Sequence, residues 1–141
     1  MFEEIYSSFL SEFEFDVNKV NSLSPLVLAY MGDAVYEVFI RTLLISAGNA
    51  PVHMLHKRSI NYVKAKAQSD IIHRIMDFLT PEEHDIVRRG RNAKSGTIPK
   101  NADVTEYKYA TGFESLIGYL YLNKEYDRLM AILKLAVSEG L

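Results

Sequence analysis

Three observations predict an all-α fold for this 141-residue chain. Apolar residues recur at three- and four-residue spacing through every long segment, which is the period of one helical face. Helix start signals stand where those segments begin: Ser24-Pro25, Thr80-Pro81-Glu82-Glu83, and Asp103 with Glu106. Strict apolar–polar alternation is nowhere long enough to make a strand. The mass of 16.1 kDa suits one domain, residues 1–141. With 48% hydrophobic and 24% charged residues, such a chain can bury one core without staples.

The elements follow in order. Residues 1–22 read as an acidic N-terminal extension, since Glu3, Glu4, Glu12, Glu14 and Asp16 stand where a secretion signal would be basic and then apolar. Ser24 caps a helix whose first turn holds Pro25, and the apolar pattern runs on to Gly48. Pro51 opens a segment with Val52, Leu55, Ile60, Val63, Ala67, Ile71, Ile75 and Phe78 at near-helical spacing, read as more than one helix. Thr80 to Glu83 has the order of a capping box, and that helix should end at Gly90. Residues 90–102, GRNAKSGTIPKNA, form a basic loop of a length that is usually functional or disordered. Asp103 caps a helix reaching Leu122, and Asn123 should cap a last one to Ser138.

Composition excludes several classes. The chain has no cysteine, so disulfides, thiolate metal sites and cysteine nucleophiles are absent. No run approaches the ~20 apolar residues of a membrane span. The expectation is a soluble, cytoplasmic protein with no membrane partner.

The net charge is −2, but it is unevenly spread. Residues 1–50 hold two basic and seven acidic side chains. Residues 51–74 carry Lys57, Arg58, Lys64, Lys66 and Arg74 against Asp70 alone. Residues 84–101 carry Arg88, Arg89, Arg91, Lys94 and Lys100 against Asp85 alone. Two basic islands in an acidic protein are the pattern of a polyanion-binding surface; a solvated helix face plus a charged loop would read the same way.

Two helices hold an acid where packing alone would not put one. The window from Val27 to Ile40 is apolar nearly all round, as in a helix at the centre of a core. Asp33 lies in its middle and Glu37 one turn later on the same face. In the second helix Glu114 borders a stripe of Tyr109, Ala110, Phe113, Leu116, Ile117 and Leu120. A buried carboxylate is costly unless it is paired or binds a metal. The alternative to a metal is a salt bridge from each acid to Arg41, Lys108 or a basic-island residue.

Gly32-Asp33-Ala34-Val35-Tyr36-Glu37 resembles the signature of the ribonuclease III family. Phe113-Glu114-Ser115-Leu116-Ile117-Gly118 resembles its second motif, in the same order and on a second helix. Leu55-His56-Lys57-Arg58-Ser59, Ala65-Lys66-Ala67-Gln68 and Arg89-Gly90-Arg91-Asn92-Ala93-Lys94-Ser95-Gly96 are similar to the Mini-ribonuclease III subgroup, which lacks a separate double-stranded-RNA-binding domain. The resemblance runs from about Leu23 to Leu122. It implies an all-α endonuclease domain, a helical bundle around a central apolar helix. It implies a homodimer that cuts double-stranded RNA with Mg²⁺, leaving a 5′-phosphate, and in this subgroup matures precursor 23S ribosomal RNA. A large-subunit ribosomal protein is a possible further partner.

Carried onto this chain, the resemblance makes Asp33 and Glu114 the catalytic metal ligands, with Glu37 supporting them from one turn away. The family's other two acids correspond to Ala29 and Thr111, so water or RNA phosphate would complete the coordination. RNA contacts fall to Lys57, Arg58, Lys64, Lys66, Arg88, Arg89, Arg91, Asn92, Lys94, Ser95 and Lys100. Tyr30, where the family has a bulky aromatic inserting into the partner subunit, marks the dimer interface with Met31 and Ala34. His53 and His56 lack a third ligand at zinc-site spacing. The tyrosines at 107, 109, 119, 121 and 126 read as core and interface aromatics. Two other readings stay open: a non-catalytic, ribosome-associated RNA-binding protein of the same fold, which loss of two acids favours, and a helical protein-interaction module.

Overall fold

The computed structural model describes residues 2–94 and 97–138, and among these every regular element is helical. The order is α1 (Phe2–Glu12), α2 (Val17–Asn21), α3 (Pro25–Ser46), α4 (Val52–Val63), α5 (Ala65–Ile75), a 3₁₀ turn (Met76–Phe78), α6 (Pro81–Asn92), α7 (Val104–Leu122) and α8 (Tyr126–Val137). The fold class expected from the sequence is the one observed.

Local signals set most boundaries. The Ser24 hydroxyl accepts from the Val27 N–H at 3.3 Å and Asp103 accepts from the Glu106 N–H at 3.0 Å, each satisfying a donor the helix itself cannot. The capping box of α6 closes in both directions: Glu83 N–H to the Thr80 hydroxyl at 3.2 Å, and Thr80 N–H to the Glu83 carboxylate at 2.9 Å. The segment after Pro51 divides at Lys64, whose extended backbone ends α4 and starts α5.

Two boundaries differ from expectation. α6 runs two residues past Gly90, to Asn92, so the loop before α7 begins at Ala93. Gly90 serves packing instead: a Cβ there would lie 2.5 Å from the Ser115 hydroxyl and 2.9 Å from the Gly112 Cα on α7. Asn123 does not start α8 but ends α7. Its side-chain amide donates to Glu125 at 3.2 Å, and α8 begins at Tyr126 without a side-chain cap.

The central apolar helix of the bundle is α7. Phe113, Leu116, Ile117 and Leu120 have no exposed surface, and α3, α5 and α6 pack around them. The helix that is apolar nearly all round, α3, buries one stripe of Leu28, Gly32, Tyr36 and Ile40. It leaves Leu26, Val27, Tyr30, Val38 and Ile45 exposed. Its apolar excess is therefore surface, not core.

Where α3 crosses α7 the two backbones touch. A Cβ on Gly32 would stand 1.7 Å from the Glu114 carbonyl oxygen, and one on Gly118 would stand 1.9 Å from the Leu28 carbonyl oxygen. Neither neighbour is a flexible side chain. The helices must separate to admit even a methyl group. Gly118→Ala should therefore destabilise the domain by about 3 kcal/mol, the upper part of the range for overpacked cores, read as a lower urea midpoint. A midpoint within error of the parent would mean that the crossing yields without cost.

Candidate active site

The glycine crossing sets the site. Because Gly32 lies against the Glu114 backbone, the next residue of α3, Asp33, comes beside the Glu114 side chain. Glu37 follows one turn along α3. The break at Lys64 brings the start of α5 to the same place, and together they enclose a pocket of about 240 Å³. Its lining includes Asp33, Glu37, Val63, Gln68, Thr111 and Glu114. All three acids singled out in the sequence thus border one cavity.

Their surroundings differ. Asp33 is exposed, while Glu37 and Glu114 are half-buried. This departs from the expectation of a carboxylate sunk in the middle of an apolar helix: the stripe that α3 buries passes one residue to the side of Asp33. Glu37 pairs with Arg41 at 3.1 Å. Among the described residues no ion pair reaches Asp33 or Glu114, so the salt-bridge alternative holds for Glu37 alone. Burial first, then the Asp33 carboxylate beside it and Glu37 behind that, push the Glu114 carboxyl up to about 8. The Gln68 amide acts in the opposite sense.

Gln68, the last residue of the Ala65-Lys66-Ala67-Gln68 motif, carries no local signal of a role in the sequence. It is 3% exposed, and its amide NH₂ donates to the Val63 carbonyl at 2.8 Å, across the α4–α5 break. Its Oε1 is the buried side-chain polar atom left without a partner among the described residues. Thr111, where the family's usual pattern has an acid, donates its hydroxyl to the Tyr107 carbonyl at 3.0 Å. Ala29, at the other such position, is buried. No three His, Cys, Asp or Glu side chains among the described residues group closely enough to hold a metal. What remains is two facing carboxylates with no paired cation among the described residues, a hard-oxygen donor set that suits a divalent ion whose other ligands come from solvent or substrate.

The basic-island residues are engaged to different degrees. Lys57, Arg58, Lys64, Lys94 and Lys100 are exposed, Asn92 is exposed, and Arg89 is half-buried. Lys66 pairs with Asp70 at 2.9 Å, and Arg88 pairs with Asp85. Arg91 donates to Asn92 at 3.3 Å and to the Tyr109 hydroxyl at 3.4 Å. Arg74 donates to the carbonyls of Leu135 at 3.0 Å and Ala136 at 2.9 Å, so this island member works for the fold. Ser95 lies outside the described residues. Tyr30 is 81% exposed, Ala34 is exposed and Met31 is half-buried against the core. His53 and His56 are exposed.

Known proteins share this sequence and shape. The family model described as the ribonuclease III domain matches residues 26–125. Mini-ribonuclease 3 of Thermoanaerobacter sp. (strain X514) is 59% identical over 118 residues, which is 84% of this chain and 83% of that protein. Mini-ribonuclease 3 of Clostridium tetani is 51% identical over 131 residues, 92% of this chain and 86% of that protein. A crystal structure of protein FN1578 from Fusobacterium nucleatum superposes with a TM-score of 0.77 at 35% identity. It covers 85% of this chain and 96% of that one.

The raised Glu114 carboxyl has a consequence for stability. Below an unfolded-state pKa of about 4.3 the group is protonated in both states. Between there and about 8 the unfolded chain has lost the proton and the folded chain keeps it, so stability falls as pH rises. Melting temperatures measured in chelator should decline across that window and level off above it. Glu114→Gln, with no proton to lose, should flatten most of the decline; an identical slope in the mutant would assign the titration to another group.

Proposed function

The chain belongs to the ribonuclease III family, and from that footing we propose that it is a metal-dependent endoribonuclease that cuts double-stranded RNA at the Asp33–Glu114 pocket. One observation carries the reading: two carboxylates from different helices meet in a cavity with no cation among the described residues to pair with either. Repelling acids that cost stability are retained where chemistry needs them.

In this reading Asp33 and Glu114 would hold a divalent ion, Mg²⁺, which when bound would supply an activated water and offset charge on the phosphate being cut. With Ala29 and Thr111 where the family's usual pattern has acids, water and RNA phosphate would be its other ligands. Glu37, engaged by Arg41, supports the acid face without touching the ion. The Gln68 amide, tied to Val63, orients Glu114. The products are a 5′-phosphate and a 3′-hydroxyl.

Duplex RNA hides its bases and offers phosphates and 2′-hydroxyls across the minor groove, which suits Lys57, Arg58, Lys64, Lys66, Arg88, Arg89, Arg91, Asn92, Lys94, Ser95 and Lys100. Two copies pair through the exposed face of α3, with Tyr30, Met31 and Ala34 at the contact, so that each contributes one acid pocket to a shared groove. The substrate is precursor 23S ribosomal RNA in the cytoplasm, and a large-subunit ribosomal protein is the further partner.

Two measurements test this. Asp33→Asn should lower duplex cleavage by orders of magnitude while its melting temperature stays level or rises, because one repelling charge is gone. A marked loss of melting temperature with cleavage per folded molecule intact would make Asp33 structural, and duplex binding without Mg²⁺-dependent cleavage in the parent would favour the non-catalytic reading. For assembly, sedimentation at micromolar concentration should give twice the 16.1 kDa chain mass, and Tyr30→Asp should return the monomer. A parent that sediments only as a monomer removes the shared groove.

A further inference from the structure

A second cavity, of about 390 Å³, opens between the C-terminal end of α6 and the first turns of α7. Tyr107 and Thr111 line both it and the acid pocket, so the two are adjoining compartments of one groove. Their chemistry is opposite. Where the first is walled by Asp33, Glu37 and Glu114, the second is walled by Asn92, Lys94 and Lys108. Lys108 and Lys94 are exposed, and among the described residues neither takes part in an ion pair. The Asn92 side-chain oxygen accepts from Arg91 at 3.3 Å, so its NH₂ is the group left to serve as a donor at the cavity that Asn92 lines. A compartment with two unneutralised ammonium groups and an amide donor is suited to an anion with several acceptor oxygens.

We propose that this compartment is a phosphate-binding subsite that takes the RNA phosphodiester next to the scissile one, with Lys108 as its main cation. The proposal rests on the endoribonuclease reading and deepens it. Lys108 and Glu114 are six residues apart on α7, about 9 Å along the helix axis, so the ammonium serves a different phosphate from the one at the acids. A polyanion approaching three carboxylates is repelled by them; a cation in the adjoining compartment offsets that repulsion and fixes the strand along the groove. Lys108 lies outside both basic islands of the sequence, which is why charge counting passes over it.

The test uses the full-length protein and a duplex RNA whose cut position has been mapped with the parent. Lys108→Ala should melt with the parent, since the side chain is exposed. Its affinity for the duplex in chelator should fall about tenfold at low salt, and its salt slope should shrink by close to one phosphate contact. Lys108→Arg should restore the slope. A duplex carrying a neutral methylphosphonate beside the cut position should weaken binding by the parent to a similar extent and cost Lys108→Ala nothing more. An unchanged salt slope in Lys108→Ala, or additive losses on the modified duplex, overturns the subsite while leaving the endoribonuclease intact. A parent that neither binds nor cuts the duplex overturns both.

Discussion

The contact of Gly32 with the α7 backbone decides how far apart two acid-bearing helices sit, and most of what the domain does follows from that distance. A helix interior disfavours glycine by about 1 kcal/mol relative to alanine. Here two glycines, Gly32 and Gly118, accept that cost at a single crossing where any Cβ would overlap a carbonyl oxygen. A second glycine pair, Gly90 and Gly112, lets α6 approach α7 closely as well, a Cβ on Gly112 standing 2.7 Å from the Val87 carbonyl oxygen. The Ser115 hydroxyl, whose one proton is shared between the carbonyls of Pro25 at 2.9 Å and Thr111 at 2.8 Å, links the start of α3 to the same helix. α7 is thus held by close contacts from α3 and α6, which fix where the Asp33 and Glu114 backbones stand relative to one another.

That rigidity holds an unfavourable arrangement in place. The acid pocket gathers like charges, and Glu114 answers by holding its proton well above the ordinary carboxylate range. Stable folding is supplied by Phe113, Leu116, Ile117 and Leu120, which line the fully buried part of the same helix. One helix therefore carries both the densest packing and the strained site, with Gln68 as the neutral group where they meet.

Much of this was legible in the sequence, and the division has a physical pattern. Ser24, Thr80 and Asp103 act on donors two or three residues away, so their capping could be read without the fold. Asp33, Glu37 and Glu114 were legible because their residue types conflict with their apolar surroundings. Gly90 and Asn123 were misread as a helix stop and a helix start, because their roles depend on Gly112, Ser115 and Glu125 across a turn or a helix interface. The centre of the bundle passed from α3 to α7, since an all-round apolar pattern does not say which face meets a partner. Gln68 and Lys108 carry no local signal: one becomes important through the Lys64 break and the other through the space that α6 leaves beside α7.

α8 is joined to the rest by two guanidinium groups, one on α8 itself and one on α5. Arg128 on α8 donates to both oxygens of Glu83, at 2.8 and 2.7 Å, and to the Phe78 carbonyl at 2.6 Å. Glu83 is 4% exposed; burial works against its charge, and Arg128 and Thr80 outweigh that and hold its carboxyl below the ordinary range. Arg74 on α5 in turn binds the carbonyls of Leu135 and Ala136. Without α8, the buried Glu83 carboxylate would lose its guanidinium partner and Arg74 would lose two carbonyl acceptors. Removing one partner of such a buried pair is strongly destabilising. Docking of α8 is therefore a charge-pairing event as well as an apolar one, joining the Tyr126–Val137 helix to α5 and α6 at once.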